Sequence, residues 1–515
     1  MAIETDRMGF RLWAEAEPDR LAVVDAAGRA LTYAELLADV NRLSHGLRDV
    51  AGLRRGDTVA CVMTNGPALL TLYLAAMQSG VYLVTVNYHL TPPEVAYILE
   101  DSGARIVVAS ARAAPVVEEA LAAVPHEVAG FVDGEAGSLA GLRTLLDGQP
   151  AGLPSERPAG SLMQYTSGTT GRPKGVKRPL ADADADEGAR VYRWLFDEFQ
   201  MGTAFERWLV AAPMYHGANI TPAAGALHLG GSLVLMDGWT PERFLDTVQR
   251  HRTTGTHLVP TQFHRLLQLP EAVRERYDVS SLRFVLHGAA PCPRELKERM
   301  LAWLGPVLYE YYGSTEVGTT IAYPDDWLAH PGTVGRPSSI SELKILGPDG
   351  NELAPGEVGL VYMRQGDDVI EYHNDPEATE GSRRGRLLTV GDLGYVDEDG
   401  FLYLTGRASD MILVGGVNTY PAEIEGVLLE HPWVADAGCV GEPDADLGEV
   451  PVAFVQLTPA APGRDEAVAA LVAHCEARLA KHKRPTAYQV RDELPRDPNG
   501  KLYKQRLREA GRGLP

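Results

Sequence analysis

The chain has 515 residues, with 48 Lys plus Arg against 69 Asp plus Glu, so its net charge of −21 argues against nucleic acid or an anionic membrane surface as the main partner. Hydrophobic residues make up 45% and charged residues 23%, an ordinary balance for a globular protein, and at roughly 150 residues per domain the length predicts about three structural units. Cys61, Cys292, Cys439 and Cys475 lie far apart with no C-x-x-C pair, so neither a zinc site nor a disulfide framework follows, and a reduced, cytoplasmic setting is the simplest reading. The first 20 residues carry Glu4, Asp6, Glu15 and Glu17 and no apolar core, unlike a signal peptide. The longest apolar run, 68–77, falls well short of the ~20 residues that span a bilayer, so no integral membrane contact is expected.

In chain order, Leu36, Val40, Leu43 and Leu47 recur at helical spacing within 31–47, and Thr32 with Glu35 forms a capping-box pattern. A strand is predicted at 58–63, a helix at 66–78, a strand at 82–86, a helix at 91–101 opened by Pro92, and a strand at 104–109. This alternation predicts a parallel sheet covered on both faces. Residues 110–160, rich in Ala, Pro, Gly and Glu, read as a connection. The acidic run 181–187 reads as a solvated loop without chemistry. A second alternating series places strands at 208–212, 232–236, 255–259 and 282–287. From about 335 the short runs 342–345, 359–363 and 401–405 sit between Gly/Pro/Asp turns and suggest a small antiparallel unit. Past 407 a smaller α+β unit is predicted, with helices at 423–429 and 466–480.

One stretch stands out: Tyr165-Thr166-Ser167-Gly168-Thr169-Thr170-Gly171-Arg172-Pro173-Lys174-Gly175-Val176. Glycines at this density let backbone N–H groups converge on an anion, the hydroxyls add donors, and Lys174 adds a positive charge, a combination suited to a polyphosphate. It is not the common P-loop, because Arg172-Pro173 separates Gly171 from Lys174 and Gly175 follows the lysine. Further along come Pro213-Met214-Tyr215-His216-Gly217-Ala218, His287-Gly288-Ala289-Ala290-Pro291, and Tyr311-Tyr312-Gly313-Ser314-Thr315-Glu316 after a predicted strand at 307–309. Then follow Gly391-Asp392 ahead of Gly406-Arg407, the loop Val414-Gly415-Gly416-Val417-Asn418, and Leu494-Pro495-Arg496-Asp497-Pro498-Asn499-Gly500-Lys501.

The order of these motifs, from about residue 31 to 504, resembles the adenylate-forming superfamily of acyl-CoA synthetases, luciferases and peptide-synthetase adenylation domains. The resemblance implies an α/β fold. A large N-terminal domain, 1–406, would hold two stacked doubly wound sheets and a small β unit, and a small mobile α+β domain would occupy 407–515. It implies ATP, Mg2+ and CoA as cofactors, with Thr166, Ser167, Gly168, Thr169, Thr170, Gly171 and Lys174 on the phosphates. Gly288, Ala289 and Ala290 would wall the adenine, with Tyr312 and Gly313 beside it. Thr315 would meet the phosphate and Glu316 the metal, in keeping with the preference of magnesium for a carboxylate together with phosphate oxygens. Asp392 would bind the ribose, and Arg407 the ribose or a phosphate. Gly415 and Gly416 would line the pantetheine channel. Lys501 matches the adenylation lysine and His216 a residue that gates or orients the carboxylate, so Lys501, His216 and Glu316 make up the expected catalytic set. Lys481, Lys483 and Arg484 are candidate contacts for the CoA phosphates.

Three departures stand out: Lys177-Arg178-Pro179 where the family continues toward a Ser/Thr-His pair, Ser409 beside Asp410 where the hinge residue is usually Asp or Lys, and Thr419 for a commoner Ile or Val. Segments 215–222, 260–263 and 313–320 offer Ala218, Ile220, Ala223, Ala224, Phe263, Val317 and Gly318. No arginine or ammonium-binding carboxylate stands out among them, so an apolar, bulky carboxylic acid of the fatty, steroid or terpenoid kind is expected. The expectation is a carboxylate–CoA ligase acting through an acyl-adenylate, with a homodimer as one assembly. Thioesterification of a preformed acyl-adenylate, loading of a carrier protein, and non-catalytic adenylate binding stay open beside it.

Overall fold

A computed structural model of the chain describes residues 7–167, 173–314, 316–366, 370–496 and 500–511. The chain divides into two compact units, the first made of Met1–His257, Tyr277–Val285 and Asp367–Gly381, the second of Leu258–Arg276, Leu286–Gly366 and Ser382–Pro515. The fold is mixed α/β, with a sheet-rich N-terminal domain and a smaller C-terminal α+β domain, in line with the strand–helix alternation.

In the first unit, six strands pair in the order Ala140–Gly141, Ala129–Asp133, Ala104–Ser110, Thr58–Val62, Tyr82–Thr85 and Ser161–Leu162, every pairing parallel. Thr58–Val62 and Tyr82–Thr85 are buried at every position, as strands covered on both faces must be. The helix Tyr33–His45 opens with Thr32 and Glu35 in a complete capping box, and at the start of Pro92–Asp101 the Glu94 carboxylate accepts from both the amide and the hydroxyl of Thr91. Each such cap stabilises its helix by about 1 kcal/mol. A second group of strands runs Leu21–Val24, Ser232–Leu235, Arg207–Val210 and Gly255–Leu258, all parallel, with Ala30–Thr32 antiparallel at its edge.

Two expectations about connections are corrected. Residues 110–160 contain the helix Ala114–Leu121 and two strands of the parallel sheet. The cue was weak because Gly130 replaces a strand side chain: a Cβ there would lie 2.6 Å from Leu139 and 2.8 Å from Leu121. Nor is the acidic run a bare solvated loop. Asp184 caps the short helix Ala185–Gly188 by accepting from the amides of Asp186 and Glu187. Asp186 in turn accepts from Arg157 at 2.7 Å and Arg11 at 2.9 Å, which holds its carboxyl below the usual range against the effect of burial.

In the second unit, Leu308–Gly313 pairs antiparallel with Thr319–Ala322, which pairs with Arg336–Pro337. An antiparallel sheet of Arg383–Arg384, Leu387–Leu388, Gly359–Gln365, Asp392–Val396 and Leu402–Arg407, with Ser341–Leu346 against Gly359–Gln365, forms the small β unit. A 3-10 turn, Ala408–Asp410, follows, and the expected boundary at 406/407 falls at its entry. Asp410 is held by Arg508 at 3.0 Å. Beyond it Val417–Thr419, Ile412–Val414, Gly448–Leu457 and Val434–Asp444 pair antiparallel, with Ala487–Arg491 parallel to Gly448–Leu457. The helices Pro421–Leu429 and Arg464–Arg478 bury Ile424, Leu428, Leu471 and Cys475 against them. That is a self-contained apolar core, each large side chain contributing about 1.5–3 kcal/mol.

Candidate active site

The two described ends of the expected polyphosphate motif pair as antiparallel strands. Gln164–Ser167 pairs antiparallel with Pro173–Lys177, placing Lys174 opposite Thr166. Lys174, expected on a loop, therefore sits on a strand, and Gly168, Thr169, Thr170 and Gly171 lie outside the described residues. The helix Pro92–Asp101 anchors both strands: Tyr165 Oη donates to Asp101 at 2.6 Å, and Tyr97 Oη donates to the Pro173 carbonyl at 3.1 Å. Burial, and then the Asp101 carboxylate, push the Tyr165 hydroxyl far above its usual range, so it remains a donor. A third strand, Glu371–Tyr372, pairs with Pro173–Lys177. Lys174 Nζ lies 3.1 Å from Asp375 and 5.1 Å from the centre of the Tyr372 ring. The sequence reading missed both of these residues.

His216 supplies the extended N-cap backbone of the helix Gly217–His228. Its ring lies 4.3 Å from that of Tyr215, which meets Tyr88 edge-on at 5.3 Å, and Thr85 donates to the Tyr215 carbonyl at 2.7 Å. A Cβ on Gly217 would lie 2.4 Å from the Gln164 amide, so this helix begins pressed against the hairpin strand. Ile220, Ala223 and Ala224 are fully buried along it. In the second unit Gly318 is explained by packing rather than by room for a ligand, because a Cβ there would lie 2.6 Å from the Arg364 carbonyl oxygen.

The expected nucleotide wall begins where the strand Phe284–His287 ends. A Cβ on Gly288 would stand 2.6 Å from both the ring and the carbonyl oxygen of Tyr311, so the turn lies flat on the strand Leu308–Gly313. Ala289 holds a left-handed φ of 66°, which is uncommon for a residue with a Cβ. Beneath this turn is an arrangement with no local sequence cue. Lys297 Nζ, fully buried, lies 2.7 Å from Glu310, and His287 Nε2 lies 3.7 Å from the same oxygen. Burial raises the Glu310 carboxyl while Lys297 pulls it back. Removing one partner of such a pair strands a buried charge.

Tyr312, on the same strand, donates its hydroxyl to Asp392 Oδ2 at 2.9 Å, and Arg407 Nε donates to Asp392 Oδ1 at 3.1 Å. The second bond follows from register, because Asp392 and Arg407 face each other across adjacent antiparallel strands. Burial, then Asp392, keep the Tyr312 hydroxyl protonated well above its usual range. A carboxylate has about four acceptor sites, so Asp392 keeps lone pairs for a diol after these two bonds. Thr315 lies outside the described residues. Glu316 is 6% exposed, with its amide bonded to Ser314 Oγ at 3.2 Å. Among the described residues no group of three or more His, Cys, Asp or Glu could cage a metal. A single carboxylate suits Mg2+, which binds through one or two carboxylates plus substrate phosphates and water.

In the C-terminal part, Arg496 forms a bidentate pair with Asp436 at 2.7 and 2.8 Å and donates to the Gly500 carbonyl at 2.6 Å. This fixes the residue next to Lys501. Gly500 has φ 81°, and a Cβ there would lie 2.4 Å from Thr261 Oγ1, so the lysine loop rests on the helix Pro260–Gln268. From that helix His264 Nε2 donates to the Val434 carbonyl at 3.1 Å. Gly415 and Gly416, with φ of 56° and 84°, form the tip of the hairpin Ile412–Val414/Val417–Thr419 and are exposed. Of the three cations considered for CoA, Lys483 is paired with Glu423 at 2.7 Å, and Arg484 donates to the carbonyls of Leu479 and Glu476.

The family model described as AMP-binding enzyme matches residues 10–370, and that of the AMP-binding enzyme C-terminal domain matches residues 423–501. The chain belongs to the AMP-binding enzyme family. It is an ATP-dependent, AMP-forming ligase of a kind for which ATP and CoA are substrates and Mg2+ is the usual ion. Among its relatives is a fatty acid–[acyl-carrier-protein] ligase, ScoC, of Streptomyces coeruleorubidus, 34% identical over 508 residues, covering 96% of this chain and 94% of that one. A 2-succinylbenzoate–CoA ligase of Geobacillus kaustophilus is 35% identical over 505 residues, covering 95% of each. The anthranilate CoA ligase AuaEII, solved with anthranoyl-AMP, superposes with a TM-score of 0.84 at 25% identity, covering 98% of this chain and 97% of that one. Among the described residues of this AMP-binding enzyme, no helix is long and apolar enough to cross a membrane.

Proposed function

We propose that this AMP-binding enzyme is a cytoplasmic acyl-CoA ligase that joins an apolar, bulky carboxylic acid to CoA through an acyl-adenylate. The observation that carries the nucleotide site is the bridge Tyr312–Asp392–Arg407, a carboxylate held by two donors with acceptor capacity left for a ribose. Gly288, Ala289 and Ala290 form the wall for adenine, with Gly313 beside it. The hairpin residues from Thr166 to Lys174, with Thr315, take the phosphates. Glu316 holds Mg2+, which when bound neutralises charge on the phosphate oxygens.

The substrate carboxylate oxygen attacks the α-phosphorus, the bond to the β-phosphate oxygen breaks, and pyrophosphate leaves. Lys174 and Lys501 stabilise the charge that builds on the phosphates, where most of the catalytic effect in such transfers arises. His216 orients the carboxylate and takes no proton, because a carboxylate nucleophile has none to give. Residues 407–515 then turn against 1–406 about the turn at 407–410, Lys501 withdraws, and Gly415-Gly416 admits the thiol. The thiol sulfur attacks the acyl carbonyl, losing its proton, and AMP leaves. The buried apolar residues Ile220, Ala223 and Ala224 support an apolar acid.

The similarity to ScoC favours one second reading, transfer of the acyl group to a carrier protein; mass spectrometry of the product formed with CoA alone separates the two. Lys501→Ala tests the first step. We expect ATP–pyrophosphate exchange to fall by at least about a hundredfold, while thioester formation from a supplied acyl-adenylate continues. Exchange at the parent rate removes Lys501 from the chemistry.

A further inference from the structure

We propose that Asp375 is the resting counter-ion of Lys174 and competes with the nucleotide phosphates for it. This rests on the reading that Lys174 binds phosphate. Three independent features place the carboxylate there. Glu371–Tyr372 is a strand of the same small sheet as Lys174, with Tyr372 in register with Val176, and the next amide, His373 N–H, donates to the Gly175 carbonyl at 2.7 Å. Asn374 then takes φ 56°, a left-handed conformation that asparagine adopts more readily than other L residues. Its side-chain amide donates to the carbonyl of Asp101 at 3.1 Å, and the Asp101 carboxylate also anchors Tyr165. The bend thus presents Asp375 to the lysine and ties it to the helix that holds the hairpin.

The two carboxylate oxygens of Asp375 divide their work. Oδ1 accepts from the Ala378 amide at 2.9 Å, capping the turn Pro376–Gly381, while Oδ2 faces Lys174 Nζ at 3.1 Å. The Ala378 amide, and then Lys174, hold the Asp375 carboxyl below its usual range. Tyr372 covers the ammonium on another side. Without nucleotide the cation is neutralised in place, and a triphosphate, with more charge than one carboxylate, displaces Asp375. The cost is an apparent ATP affinity reduced by the fraction of lysine held in the pair. The lysine side chain is 14% exposed and that of Asp375 37%, so the effect should be that of a partly screened pair.

Titration calorimetry with MgATP, without acid or CoA, tests this. Asp375→Asn keeps an oxygen for the Ala378 amide and turns a neutral amide NH2, in place of the charged oxygen, toward Lys174, and Asp375→Ser keeps a capping oxygen on a shorter arm. Both should lower the Kd for MgATP by roughly two- to fivefold. In a Lys174→Met background, where the Kd rises, Asp375→Asn should change it no further. An unchanged or higher Kd in the single Asp375 variants overturns the proposal. So does a persisting gain in the Lys174→Met background, which would mean that Asp375 repels the phosphates directly. If Lys174→Met itself leaves the Kd unaltered, the phosphate role of Lys174 fails, and the competition falls with it.

Discussion

Asp392 is the side chain on which the proposed nucleotide site turns, since each of its oxygens already accepts a bond, one from Tyr312 and one from Arg407. Asp392→Asn replaces one acceptor with a donor facing either Tyr312 or Arg407. Hydrogen bonds to charged groups are worth about 1.5–3 kcal/mol, so the Kd for MgATP should rise by roughly ten- to a hundredfold. Calorimetry on the folded variant checks this, and parent affinity would remove Asp392 from the ribose. At this scale the sequence was informative where a motif is local: Asp392 stood out because Gly406-Arg407 follows at a fitting distance. It was silent where partners meet only through the fold. Asp375, ahead of Pro376, looks like an ordinary helix cap, and nothing near Lys297 announces Glu310 on another element.

At the scale of elements, the expected strands and helices matched wherever burial and caps act locally, as in the capping box at Thr32 and the fully buried strand Thr58–Val62. The expected polyphosphate motif did not read as strands, since Pro173-Lys174-Gly175 carries the breakers of a loop and is made a strand by pairing with Gln164–Ser167 and Glu371–Tyr372. The strands Ala129–Asp133 and Ala140–Gly141 were missed because Gly130 interrupts the first and the second is only two small residues long. The turn that begins at Gly288 is also set by tertiary contact. Gly288→Ala would drive a methyl into Tyr311 and should destabilise the protein by about 1–3 kcal/mol. Because the displaced strand also carries Tyr312, MgATP binding should weaken with it. Denaturant unfolding together with a Kd checks this; full stability in the alanine variant would show that the turn does not lie flat on the strand.

At the scale of the whole molecule, the family match spans both the N-terminal and the C-terminal domains, so a single chain holds the parts for forming an adenylate and for consuming it. The two proposed steps, one assigned to Lys501 and the other to Gly415-Gly416, would place a demand on the turn at 407–410, where Ser409 stands in for the usual charged residue and Arg508 grips Asp410. The identity of the acid was not legible, because the residues nearest the expected pocket are small and apolar and set a volume rather than a recognition group. The most direct measurement is AMP release from ATP and Mg2+ across a panel of carboxylic acids, with and without CoA. Without CoA, acid should release about one equivalent of pyrophosphate per enzyme while AMP stays in the acyl-adenylate; with CoA, AMP release becomes continuous and is matched by acyl-CoA, which is the predicted result. AMP release that continues unchanged when CoA is left out, or the absence of any acid-dependent AMP from folded protein, would contradict the account.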